Sequence, residues 1–240
     1  MKPTYFQDGL ATVHNCDFRN DPRYIKSFQE GFKLGGWGSG VAVWRIHVAL
    51  WAASVASRLE GDFVECGVHF GGVSRAVMEF INFSKLNKHF FLLDTYEGKA
   101  LDDLTDAEKQ QMNSVLDEGL TDSQKYFLTG RYPSSYDRVV KTFEPFGDKV
   151  HVIRGTVPHT LDQVTSDKVA YLAVDMNCAA PEVAALEFFW PKLIKGGIVV
   201  LDDHGWPNCE GQTNAHAAFA KRYNTCVLPL PTGQGLLIKH

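Results

Sequence analysis

At 240 residues the chain suits one α/β domain with a decorated end. Its formal charge of −4 leaves no electrostatic footprint for nucleic acid or an anionic membrane surface, and no apolar run approaches the length of a membrane span. The five cysteines are odd in number, scattered, and form no C-x-x-C pair, so neither a disulfide framework nor a cysteine zinc site is expected. Met1–Leu10 lacks the basic-then-apolar layout of a leader, and the reading is a cytoplasmic protein.

Residues 1–20 show no clear period. From Pro22 to Leu34, Tyr24, Ile25, Phe28 and Phe32 recur at helical spacing, and the run Gly35-Gly36-Trp37-Gly38-Ser39-Gly40 then breaks the chain. A second helix is predicted over Val41–Leu59, carrying Trp44, His47, Val48, Trp51 and Val55. Residues 1–60 are therefore read as a helical cap over a core spanning 61–240, because glycine-rich joints beside aromatics often mark a movable lid.

The core opens at Gly61–Gly72, G-D-F-V-E-C-G-V-H-F-G-G: an apolar strand, a glycine turn at Glu65–Gly67, and a helix from Gly71–Gly72 through Ser74, Val77 and Ile81. The spacing E-x-G-x-x-x-G-G is not that of a pyrophosphate fingerprint. An acid at the strand end also disfavours phosphate and suits a cationic or amine-bearing ligand. Gly67 is expected to take positive φ and to let a ligand lie against the backbone. A second buried strand, His89–Asp94, ends in an acid placed to reach ribose hydroxyls, so a nucleoside-containing ligand is favoured.

Thr95–Tyr132 is a long insertion opening T-Y-E-G, suited to substrate selection. Ser134–Phe146 reads as helix. Val150–Arg154 is the third strand, after which Gly155 and Thr156 pass beside a flat base. Val169–Asp175 is the fourth, followed by a helix over Pro181–Leu193 that Lys195-Gly196-Gly197 ends. Ile198–Asp203 is the fifth, Gly211–Tyr223 another helix, and Thr225–Leu230 with Leu236–Lys239 a closing hairpin whose prolines, Pro229 and Pro231, suit a sheet edge. The expected fold is α/β: a doubly wound, mostly parallel, seven-stranded sheet with N-terminal cap helices and a C-terminal hairpin in a single domain.

Asp175 ends one strand and Asp202-Asp203 end the next. Neighbouring strands lie about 4.8 Å apart, so if these two are neighbours, three carboxylates crowd the rim where α/β proteins bind ligands. A divalent cation relieves their repulsion, and an oxygen-only ligand set suits Mg²⁺, Mn²⁺ or Ca²⁺.

The layout resembles a class I S-adenosylmethionine-dependent methyltransferase, and more narrowly the macrocin O-methyltransferase family. The carrying stretches are E-C-G-V-H-F-G-G at Glu65–Gly72, L-L-D-T-Y-E-G at Leu92–Gly98, V-D-M-N at Val174–Asn177 and K-G-G-I-V-V-L-D-D-H-G at Lys195–Gly205. The resemblance runs from about Arg58 onward and implies that Asp175, Asp202 and Asp203 hold Mg²⁺. It also implies that Glu65 and Gly67 line the methionine end of S-adenosylmethionine and Asp94 its ribose; Ser74, Thr95, Gly155, Thr156 and Asp175 are assigned to the same cofactor site. A metal-bound substrate hydroxyl would then be acidified and held in line with the methyl group.

One departure stands out. Sugar-modifying relatives often carry a second aspartate, as general base, where this chain has Asn177, and catechol-type relatives a lysine where it has Cys178. The candidates for base are His204, preferred because imidazole titrates in the useful range, His69, or no side chain at all. The expected acceptor is a saccharide or glycosylated metabolite, with a catechol-like phenol second and Trp37, Trp44, Tyr96 and Trp206 available to stack on it. Oligomeric state is open, a homo-oligomer included. A nicotinamide oxidoreductase shares the first unit but leaves the three later acids unexplained. A non-catalytic cofactor-binding homologue remains the other alternative, and no G-x-S-x-G elbow supports a hydrolase.

Overall fold

Seven strands form the main sheet of the computed structural model, which describes residues 2–35, 42–98, 106, 109–110 and 134–240. The glycine-rich break with Trp37 and most of the insertion beginning at Thr95 lie outside the described residues.

The chain starts with a small antiparallel hairpin, β1 (Tyr5–Gln7) and β2 (Leu10–Thr12), joined by Asp8-Gly9, both at positive φ. The expectation of a purely helical cap missed it, because two three-residue strands are too short to show alternation. Helix α1 (Pro22–Phe32) follows, with Asp21 as N-cap accepting the Arg23 N–H at 2.8 Å and Pro22 in the first turn. Helix α2 (Val43–Ala56) is apolar almost all round and buries Ile46, Ala49, Leu50 and Ala53. It therefore packs on the sheet face, and only its first turns reach the ligand rim.

The core strands are β3 (Asp62–Cys66), β4 (Phe90–Asp94), β5 (Val150–Arg154), β6 (Val169–Val174) and β7 (Leu193–Leu201), closed by β8 (Leu228–Pro229) and β9 (Gly235–Ile238). Their order is β5-β4-β3-β6-β7-β9-β8; β3 to β7 pair in parallel, and β9 is antiparallel to both β7 and β8. Strand order reverses between β3 and β6, the switch point at which open α/β sheets bind ligands. Helices α3 (Gly72–Phe80) and α4 (Tyr136–Phe143) join α2 on one face, over Phe63, Leu92, Tyr171 and Val200. Helices α5 (Ala179–Phe189) and α6 (Glu210–Arg222) cover Val64, Leu93, Leu172 and Leu201 on the other. Successive strand residues alternate between the two clusters, as period-2 geometry requires.

One boundary differs from expectation. The helix predicted to Leu193 stops at Phe189, because Pro191 can neither continue the ladder nor clear the preceding turn. Lys195-Gly196-Gly197 lies inside β7 and does not cap a helix. Val169 pairs with Leu193 and Tyr171 with Ile198, so the glycines absorb a bulge, with Gly196 at φ 81°. Pro229 sits on the edge strand, as expected. No helix among the described residues is long and apolar enough to cross a membrane, and none of Cys16, Cys66, Cys178, Cys209 and Cys226 is in a disulfide.

Candidate active site

Val174 pairs with Leu201, so the residues that follow them leave the sheet side by side. Asp175 comes directly after β6, and Asp202-Asp203 directly after β7. One oxygen from each of the three carboxylates lies within 4.8 Å of the others. Burial, then Asp202 and Asp203, push the Asp175 carboxyl well above the usual carboxylate range, with Arg45 opposing them.

The sequence reading missed Arg45, in the first turns of α2. Its Nη1 is 2.9 Å from Asp202 Oδ2 and its Nε 2.8 Å from Asp8 Oδ2 in the β1–β2 turn. Burial opposes the guanidinium charge, but Asp202 and Asp8 outweigh it and hold the group protonated. The arginine lies 5.2 Å over the Trp206 ring, against which Gly9 also packs. Gln234, from the β8–β9 turn, donates to Asp202 Oδ1 at 2.9 Å. Contacts between residues so distant in sequence carry no local signal.

The three rim acids and Asp8 set four carboxyl groups against one guanidinium. A divalent cation would relieve that crowding, and the all-oxygen donor set suits Mg²⁺ or Mn²⁺. Asn177 donates to Asp175 Oδ1 at 2.9 Å, in keeping with a side chain that serves as donor and not as base.

Beside the acids, between α2 and the sheet, lies a pocket lined by Arg45, Ile46, Glu65, Tyr171, Asp175 and Asp202 among others. Glu65 is 3% exposed, and its Oε2 has no hydrogen-bond partner; neither has the Tyr171 hydroxyl. Burial, then Asp94 and Asp202, push Glu65 well above the ordinary carboxylate range. A buried acid and phenol aimed at a cavity invite a ligand cation or donor. Ser74, in the first turn of α3, is likewise buried with its hydroxyl unpartnered, where a helix N-terminus favours an anionic group. Of these groups, Glu65 and Tyr171 line the cavity, and Glu65 fits the ammonium of an amino-acid moiety such as that of S-adenosylmethionine.

Gly67 does take positive φ, 94°, but its missing side chain makes room for protein: a Cβ there would stand 1.8 Å from the Asp175 carbonyl oxygen. Asp94 Oδ2 accepts the Val68 and His69 N–H groups at 2.6 and 2.7 Å, and its Oδ1 accepts Tyr96 N–H at 2.6 Å. Its first task is thus to fasten the glycine turn; ribose recognition would use its remaining lone pairs. Thr95 donates to the Gly98 carbonyl at 2.5 Å. Gly155, bonded through its N–H to the Asp94 carbonyl at 2.9 Å, and Thr156 sit half-buried beside it.

Two assignments change. Tyr96 is fully buried with its hydroxyl on the Leu92 carbonyl at 2.9 Å, so it is a core residue and stacks on no substrate. His204 does not line the cavity: its ring meets His216 of α6, Nδ1 to Nδ1 at 3.4 Å, and burial followed by His216 lowers its pKa. His69 lies at φ 54° with its ring against Phe70.

No curated protein sequence matches the chain. Among solved structures, the O-methyltransferase NovP superposes with a TM-score of 0.64 at 15% identity, over 84% of this chain and 81% of NovP. CalS11, a calicheamicin methyltransferase, gives 0.61 at 17% identity over 94% of both chains. An O-methyltransferase from Bacillus cereus, solved with SAH, gives 0.56 at 11% identity over 91% of both. At these identities the likeness is one of fold. The model of the macrocin O-methyltransferase (TylF) family matches residues 46–224, from just after Arg45 in α2, through the glycine turn and all three acids. With most of its length matched, the chain belongs to the macrocin O-methyltransferase family and is an O-methyltransferase.

Proposed function

We propose that the protein transfers a methyl group from S-adenosylmethionine to a hydroxyl of a saccharide or glycosylated small molecule, with a divalent cation held by Asp175, Asp202 and Asp203. The observation that carries this reading is the meeting of three carboxylates at the switch point, one backbone contact from the glycine turn. The sugar acceptor rests on the family description and on CalS11, itself described as a TDP-rhamnose 3'-O-methyltransferase.

S-adenosylmethionine would supply an electrophilic methyl group on a positive sulfur, and the cation a charge that lowers the pKa of a hydroxyl beside it. Glu65 would meet the cofactor's ammonium and Ser74, at the α3 N-terminus, its carboxylate, while Asp94 keeps the turn closed. Arg45 and Gln234 hold the Asp202 carboxylate by one oxygen each, which fixes its orientation before any ligand arrives. Asp175 lines the cavity and would take the hydroxyl proton as the oxygen accepts the methyl group, giving an ether and S-adenosylhomocysteine. His204, turned toward His216, is given no proton to accept.

The test is turnover of a nucleotide-linked or glycosylated acceptor with excess chelator and after Mg²⁺ is restored. Loss and recovery are expected, with S-adenosylhomocysteine binding retained throughout; full activity in chelator would remove the cation from this reading.

A further inference from the structure

Behind the acid rim, outside the cavity, α5 and α6 enclose a buried polar pair that methyl transfer does not call on. Glu182 is 1% exposed and His216 0%, and Glu182 Oε2 stands 3.0 Å from His216 Nε2. Burying such a pair between two helices costs free energy that apolar side chains of like volume would not incur, so its presence calls for a function.

Its contacts supply one. Glu182 Oε1 accepts the Met176 N–H at 3.2 Å, and the same carboxylate faces the amides of Asn177 and Cys178. It therefore holds the loop leaving β6 immediately after Asp175, including Asn177 at φ 58°. From the other end of the pair, His216 Nδ1 meets His204 Nδ1 at 3.4 Å, and Thr213 on the same helix donates its hydroxyl to the His204 carbonyl. Helix α6 thereby holds the loop leaving β7 immediately after Asp203. Behind the rim, the contact between Glu182 and His216 joins the two loops that carry the acids.

We propose that Glu182 and His216 are positioning residues, a buried brace that sets the spacing between Asp175 on one loop and Asp203 on the next, and so the affinity of the rim for a divalent cation. The inference rests on the cation reading above. The brace touches neither cavity nor cofactor groups, so its loss should leave cofactor binding intact while loosening the carboxylates.

The test uses the full chain and two readouts besides turnover: Mn²⁺ binding by electron paramagnetic resonance, and amide hydrogen exchange at Met176–Cys178. His216→Leu should weaken Mn²⁺ binding by about 10–100-fold, the usual effect of losing a group that orients a ligand. It should also speed exchange at Met176–Cys178, across the contact from the substitution, with S-adenosylhomocysteine affinity unchanged. Glu182→Gln, which keeps an oxygen for the loop amides and offers an N–H to His216, should restore both readouts to near wild type. A purely structural pair would lower the melting temperature and leave Mn²⁺ affinity and loop exchange, measured well below melting, as in wild type; that result overturns the proposal. If His216→Leu does not fold, His216→Asn decides: its shorter side chain reaches one neighbour only, so unchanged affinity and exchange overturn the brace. If the wild-type protein binds no Mn²⁺, the cation reading fails, and cross-contact exchange alone upholds or sinks the brace.

Discussion

Arg45 Nη1 lies 2.9 Å from Asp202 Oδ2, and this contact ties the N-terminal segment to the acid rim. The same guanidinium holds Asp8, so the β1–β2 hairpin, α2 and the loop after β7 share one cation. Arg45→Met strands two partly buried carboxylates. We expect a loss of about 2 kcal/mol in urea unfolding without divalent ions. Excess Mg²⁺ should recover part of it, because a dication at the rim replaces the missing charge. An equal loss with and without Mg²⁺ would show that Asp202 faces no cation.

Asp175→Asn tests the crowding itself. It removes one of three mutually repelling carboxylates without changing shape, so the metal-free protein should become more stable by about 1 kcal/mol. On the proposed reading, turnover should fall by about a hundredfold or more, since a cation ligand and a proton acceptor would be lost together. Thermal unfolding and initial rates on the same preparation check both halves.

Glu65 predicts a pH dependence. Burial raises its folded pKa, so the folded state keeps this proton to higher pH than the unfolded chain. Stability from this group is complete below the unfolded pKa, about 4.3, and is lost as pH rises through the folded value. Glu65→Gln should remove that loss in cofactor-free protein. It should also weaken S-adenosylhomocysteine binding by about tenfold or more, because a neutral amide cannot pair with the ammonium. Unfolding at several pH values and calorimetric titration separate the two effects.

The Glu182–His216 pair has its own window. Burial pushes Glu182 up to about 8 and His216 down to about 4, so near neutrality Glu182 keeps its proton and His216 is neutral. In the unfolded chain the last proton leaves near the ordinary histidine pKa of about 6.5. Between these values the folded state binds more protons, and stability falls as pH rises from about 6.5 to 8, by on the order of 2 kcal/mol. Glu182→Gln should flatten that part of the stability curve.

Legibility in the sequence followed range. Strand ends, the glycine turn and the acid triad were readable because each lies within a few residues of a period or a motif; Val150–Arg154 matches the observed strand residue for residue. Arg45 was not, because what matters is its meeting with residues 8 and 202. Gln234 likewise acts on an acid 32 residues away. His204 was read from its neighbours in sequence, whereas its ring orientation is set by α6, which no motif places. Gly67 was readable as conformationally required, but its close approach to the Asp175 carbonyl was not, because that neighbour lies over a hundred residues away.

Gly67 carries a wider consequence. At φ 94°, with the Asp175 carbonyl where a Cβ would stand, it puts main chain directly against main chain at the switch point. Gly67→Ala should therefore damage cofactor affinity and acid geometry together, read as parallel losses in S-adenosylhomocysteine and Mn²⁺ binding. The offset between donor and acceptor is thus gauged by backbone, with no side chain to lengthen or shorten it. On the proposed reading, side chains around the rim can change while the interval the methyl group must cross stays the same.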